Sequence, residues 1–331
     1  MEKQIQKPLG IVDALFGGFQ LVLNRPWILL IPVLLDMFLW LGPRLTAAPI
    51  IQQMVALISA AQPPNATPEM IQNLNAAKQT WLAMGDHFNL FGVLALAAIG
   101  MPTLMAANTP AVSIWPALPP RYLVANDAAF LGLIALMVGL GALIGSVYLE
   151  LIAQGVRREA SRAAFAAHAL KAYLTVGALI LIGLAAALIA MIPFGLSAAV
   201  AALFNQSIAS FLFLLGVMLL MWVGLYLSFA VPAIFVSGAN AWQAVVNSVA
   251  VFRYNFWSAI GLLFLVILIE SGFQVIWDIF LNNTWGVVAV DLANAFLGSA
   301  LIAAMMLFYD DRITFLLRVR EQLRQQQQKL G

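Results

Sequence analysis

Six long apolar runs organise this chain. They cover Trp27–Ala47, Ala128–Gln154, Ala172–Ile192, Ile208–Val231, Phe256–Leu281 and Trp285–Tyr309. About 20 consecutive apolar residues cross the hydrocarbon core of a bilayer as a helix, and each run reaches that length. The pattern predicts an all-α polytopic membrane helix bundle with six transmembrane helices, built as a single membrane domain over residues 1–331.

Two shorter stretches have a helical period with one polar face. In Pro8–Asn24, Val12, Leu15, Phe16, Phe19, Val22 and Leu23 recur on one side, while Asp13, Gln20 and Asn24 fall off it. Such a segment is expected to lie in the membrane interface rather than to cross it. Ala239–Arg253 repeats the design, with Trp242, Val245, Val246, Val249 and Phe252 matching Val12, Leu15, Phe16, Phe19 and Val22 at a constant offset. Asn24-Arg25-Pro26-Trp27 then corresponds to Tyr254-Asn255-Phe256-Trp257. The connector before the third run (Phe165, Ala169, Ala172, Tyr173) fits less well. Three units are therefore expected, each a surface helix followed by a two-span hairpin.

The first and second runs are separated by a long insertion, Ala48–Asp127. Within it Ile50–Ala61 and Pro68–Met84 read as helices, and Pro63-Pro64-Asn65 separates them. Phe88–Ala107 is apolar but interrupted by Gly92, Gly100 and Met101-Pro102, so it is expected to lie on or dip into the membrane without crossing. Trp115-Pro116 and Pro119-Pro120 read as stiff extended chain.

Composition agrees with the pattern. The chain is 63% hydrophobic and 9% charged, against about 25% charged in an ordinary soluble domain. Sixteen Lys+Arg against fourteen Asp+Glu leave +2, too little to imply a nucleic-acid partner. With no cysteine, thiolate metal sites and thiol catalysis are excluded. No cleaved signal peptide is read at the start. Basic residues near spans mark the cytoplasmic side. Arg25, Arg157, Arg158, Arg162, Lys171, Arg253, Arg312 and the basic residues of the 310–331 tail share one side of a six-span layout, which places both termini in the cytoplasm of a bacterial inner membrane and the insertion outside.

Ionisable groups at bilayer depth cost about 2.5–3.5 kcal/mol on insertion scales, so those within the runs are the candidate chemistry. Glu270, Gln274 and Asp278 are spaced i, i+4, i+8 on the fifth run; Asp291 and Asn294 lie on the sixth; Asp36 lies mid-depth on the first. Mirrored about the Asn282-Asn283-Thr284 turn, Asp278 and Asp291 share a depth and could clamp the hairpin. Glu270, joined by Asp36, could line a proton or substrate path. No cofactor is expected. With only His87 and His168, neither inside a run, and with no phosphate loop, the chain is expected not to be an enzyme.

Two stretches, Trp27–Arg44 (WILLIPVLLDMFLWLGPR) and Leu307–Arg320 (LFYDDRITFLLRVR), give the chain a resemblance. It resembles a group of bacterial and archaeal six-span membrane proteins that includes the membrane domain found beside glycerophosphodiester phosphodiesterases. The resemblance implies the six-helix plan and no catalytic residues, because the phosphodiesterase chemistry belongs to a separate soluble domain. The expected role is a non-enzymatic membrane component, a transporter or permease part for a small or lipid-like molecule, working with the lipid bilayer and a separate ATPase. The alternative is an assembly factor that holds another membrane protein through its outer insertion.

Overall fold

The computed structural model describes residues 8–60, 68–87, 89–95, 100–106, 120–157, 165–202 and 204–330. Asn65, Trp115-Pro116, Pro119, Arg158, Glu159 and Arg162 lie outside them. Among the described residues the regular structure is helical apart from two three-residue strands. Five helices are long and apolar enough to cross a membrane: 127–157, 165–202, 206–237 (with a break inside it), 256–280 and 284–328. The chain divides into two compact units, residues 1–28, 146–271 and 297–331 in the first and 29–145 and 272–296 in the second.

The first unit begins with α1 (Ile11–Asn24). Its buried face is made of small or narrow residues, Ala14, Gly18 and Val22, and leaves Val12, Phe16 and Leu23 exposed. Gly18 permits close contact with the C-terminal helix α11 (Thr284–Leu330). The contact is fastened at its end: Leu9 N–H donates to Asp311 Oδ2 at 2.9 Å, and the buried Arg312 donates to Leu9 O at 2.8 Å. α5 (Asp127–Arg157) enters this unit through its second half, where Tyr148 and Ser299 of α11 share a 2.8 Å hydroxyl–hydroxyl bond.

α6 (Phe165–Ala202) and α7 (Gln206–Leu227) form a hairpin closed by Asn205, whose side chain accepts from Ser207 and Ile208 N–H. Most of its large apolar side chains are exposed, as suits a surface solvated by lipid. α6 is one helix from Phe165 onward, so the third surface helix anticipated before this span is absent among the described residues; no Pro or Gly falls before Tyr173 to break it. α8 (Ala230–Ser237) follows a two-residue break, with Pro232 tolerated in its first turn, and Gly238 ends it in the left-handed conformation at φ 62°. α9 (Ala241–Tyr254) and the start of α10 (Phe256–Phe280) complete the unit.

The second unit holds α2 (Leu30–Leu41), β1 (Arg44–Thr46), α3 (Ala48–Ala60), α4 (Pro68–His87), β2 (Arg121–Leu123), the first half of α5, and the adjoining ends of α10 and α11. α2 is shorter than the expected Trp27–Ala47 span. It follows a 3-10 turn at Pro26–Leu29 and stops at Gly42, which is extended because a residue before proline is driven out of the helical region. The chain continues as β1, paired in parallel with β2 in the register Arg44↔Arg121. α3 and α4 match the two helices read in the insertion. Of Phe88–Ala107, the described part contains a 3-10 turn at Leu90–Leu94 and irregular chain around buried Met101, Leu104 and Met105, with no membrane-length helix. Gly141 brings α5 against this turn, where a Cβ would stand 3.0 Å from Leu94 Cα.

The sixth run and the polar tail are one continuous helix, α11. No proline or glycine follows Ser299 before the chain end to stop it.

Candidate functional site

α2 is apolar almost throughout, and its inward face is Pro32, Leu35, Asp36, Leu39 and Trp40. Asp36 is therefore carried into the interior by its neighbours and is 1% exposed. A carboxylate there must find donors or be protonated. Two come from the irregular segment after Gly100. Leu104 N–H donates to Asp36 Oδ2 at 2.7 Å and Met105 N–H to Oδ1 at 3.2 Å. Those amides are free to do so because the chain around Pro102 is not helical. The Thr103 side chain adds a further hydrogen bond.

The remaining partner is another acid. Asp291, 2% exposed on α11, forms a side-chain hydrogen bond with Asp36. It lies on the same face as buried Val287 and Ala295, one turn before and after it. An ionised carboxylate has no donor, so this contact requires a proton between the two groups. Asp36 already receives two amides, whereas Asp291 Oδ1 is buried with no partner. Neither acid has a cation among its partners in the described residues. The arrangement is a pair of buried carboxyl groups in contact, with an apolar segment hung on Asp36 through two main-chain amides.

The other sequence candidates are placed differently. Glu270, Gln274 and Asp278 are all exposed along α10, and Asn294 is half-buried. Asp278 is not Asp291's partner; the carboxyl brought to Asp291 is that of Asp36. Thr103, Leu104 and Met105 escaped the sequence reading. Their signal was Pro102 inside an apolar run, together with the lone acid Asp36 on another run.

A second polar cluster lies in the first unit. Glu150, with a 2% exposed side chain, pairs with Arg157 and lies 3.7 Å from His168 Nδ1. Arg157 also donates to Phe235 O, and Lys171 Nζ to Gly238 O at 3.4 Å. These groups line a cavity of about 250 Å3 with Thr175 and the chain from Ile234 to Ala239. Its cations cap the carbonyls at the end of α8, where the helix dipole favours positive charge. That structural role accounts for them.

No group of three or more metal-ligating side chains occurs among the described residues. Comparison with protein-family models, curated proteins and solved structures gave no match.

Proposed function

We propose that this chain is a non-enzymatic integral membrane protein of the bacterial inner membrane, with six spans and both termini cytoplasmic. In this reading it moves, or helps move, a small or lipid-like molecule, and the Asp36–Asp291 pair exchanges a proton in that step. The observation that carries the reading is the contact between two buried carboxyl groups with no cation beside them. Intramembrane acids that face the protein interior are rare and mark ion or proton pathways. Membrane embedding is supported by five helices of membrane length.

The test is proton entry into liposomes containing the full chain, driven by a potassium diffusion potential and followed with an internal pH dye. Asp291→Asn keeps a donor to Asp36 through its amide, so the fold survives but the exchangeable proton is gone. Proton entry with the native chain and none with Asp291→Asn is expected. Equal rates for the two, or no proton entry with the native chain, overturn the proton role.

The assembly-factor reading also has an observation in its favour. The α3–α4 pair of the insertion exposes Met54, Leu57, Ile71 and Trp81. Mild detergent extraction separates the readings: a co-purifying ATPase supports transport, and a stable membrane complex without one supports assembly.

A further inference from the structure

The match between the two amphipathic stretches extends far beyond their apolar residues. α1 and α9 are both 14 residues long and begin at the same point of the repeat. Both carry a back-bond at the N-terminus. The Asp13 carboxylate accepts from Gly10 N–H at 3.1 Å, and at the equivalent positions Gln243 Oε1 accepts from Asn240 N–H at 3.3 Å. Residues 12–19 and 242–249 have the same burial position for position, and so do 22–25 and 252–255. Ala14, Gly18 and Val22 face inward in one helix; Ala244, Ser248 and Phe252 do so in the other. Val12 and Trp242 stand out at 72% and 68% exposure, and Phe16 and Val246 follow one turn later.

Each helix is then joined to the next through a single residue, Arg25 or Asn255, and two positions later an exposed tryptophan follows, Trp27 or Trp257.

We infer that α1 and α9 are a duplicated membrane anchor, both lying in the headgroup–acyl boundary of the same leaflet, with lipid as the occupant of their exposed faces. Three observations select lipid. The large apolar side chains Val12, Phe16, Trp242 and Val246 project outward, flanked by exposed polar Asp13, Gln20, Gln243 and Arg253, as an interfacial helix requires. A one-residue link to α10, a membrane-length helix, holds α9 at the boundary where that span enters. Tryptophan at the elbow is the side chain suited to headgroup depth, and Arg25 and Arg253 stand beside it for anionic headgroups.

The same-leaflet assignment has a topological consequence. The number of crossings between Asn24 and Ala241 must be even. α5, α6 and α7 supply three, so Pro26–Leu41 supplies the fourth, although its 16 residues span only about 24 Å. The inference rests on membrane embedding and not on the proton role of Asp36 and Asp291.

Because the chain has no native cysteine, single-cysteine variants test this directly. Nitroxides attached to Val12→Cys, Phe16→Cys, Trp242→Cys and Val246→Cys are placed in phosphatidylcholine–phosphatidylglycerol vesicles. All four are expected to relax with oxygen and resist an aqueous nickel chelate, at matched depths. Asn24→Cys and Tyr254→Cys are expected to react with an impermeant maleimide from the same side of the membrane only. Labelling of those two from opposite sides overturns the same-leaflet assignment. Nitroxides shielded from both oxygen and nickel would mean a protein occupant, an ATPase or a second copy, and overturn the lipid assignment. If one cysteine variant of α1 misfolds, exposed Leu23 replaces it for the depth measurement, and in α9 the remaining one of Trp242 and Val246 carries it.

Discussion

The backbone nitrogen of Ala304 on α11 lies 2.7 Å from where a Cβ on Gly18 of α1 would stand, and the carbonyl oxygen of Ala300 is closer still. Only a residue without a side chain fits there. Gly18→Ala pushes α1 off backbone, not off a flexible side chain, and overpacking of this kind costs about 1–3 kcal/mol. Gly177 of α6 is the control: nothing lies within 4 Å of its Cβ position. Gly177→Ala is expected to be neutral or to stabilise by about 0.5–1 kcal/mol, as alanine replaces glycine inside a helix. Thermal unfolding in detergent should move in opposite directions for the two variants.

Asp36 is the anchor of the segment after Gly100. Asp36→Ala leaves the Leu104 and Met105 amides buried without an acceptor, at about 1–3 kcal/mol each. The segment should then detach locally instead of paying that penalty. Hydrogen exchange is expected to accelerate in a peptide covering residues 101–106 and to stay unchanged in α6 and α7, which belong to the other compact unit. Uniform acceleration across the chain would mean that Asp36 supports the whole bundle.

What the sequence makes legible here is depth and period; what it hides is azimuth. Mirroring about Thr284 pairs Asp278 with Asp291 by sequence alone. Packing then turns Asp291 inward, on the line of Val287 and Ala295, while Asp278 faces outward next to buried Trp277. Which way a helix is rotated depends on neighbours far away in the chain, and all these residues lie in runs that are apolar nearly all round. The partner of Asp36 was hidden for a related reason, since Leu104 and Met105 offer main-chain amides that carry no side-chain signature. The α1 and α9 helices were readable because their polar positions alternate with apolar ones. Even there the inward face was misassigned in part. Val22 was grouped with Val12 and Phe16, but it packs inward with Ala14 and Gly18, because small residues permit the closest approach.

Glu150 and Arg157 test how a buried charge is supported. Arg157→Gln removes a cation from a carboxylate with a 2% exposed side chain. Breaking a buried ion pair from one side costs about 3–5 kcal/mol; with His168 nearby, the low end is expected. The double variant Glu150→Gln/Arg157→Gln removes the stranded charge and should recover most of the loss. A thermodynamic cycle over the four proteins measures this coupling, and additive losses would show that the two side chains act independently.

The two arginines in register across the β1–β2 pair make the opposite case, a contact that weakens the fold. Arg44 is half-buried, and burial followed by the charge of Arg121 holds its guanidinium below its ordinary pKa. Its Nε has no hydrogen-bond partner. Like charges opposite one another on paired strands are unfavourable by about 0.2–1 kcal/mol. Arg121, exposed at the edge, contributes no compensating contact among the described residues. Arg121→Gln is therefore expected to stabilise the insertion by an amount in that range. The gain should shrink as salt is added, because screening relieves the native chain and leaves the variant unchanged. Limited proteolysis within 44–123, compared at low and high salt, reads the effect, and a variant cut faster than the native chain at low salt would show that Arg121 holds the strand pair together.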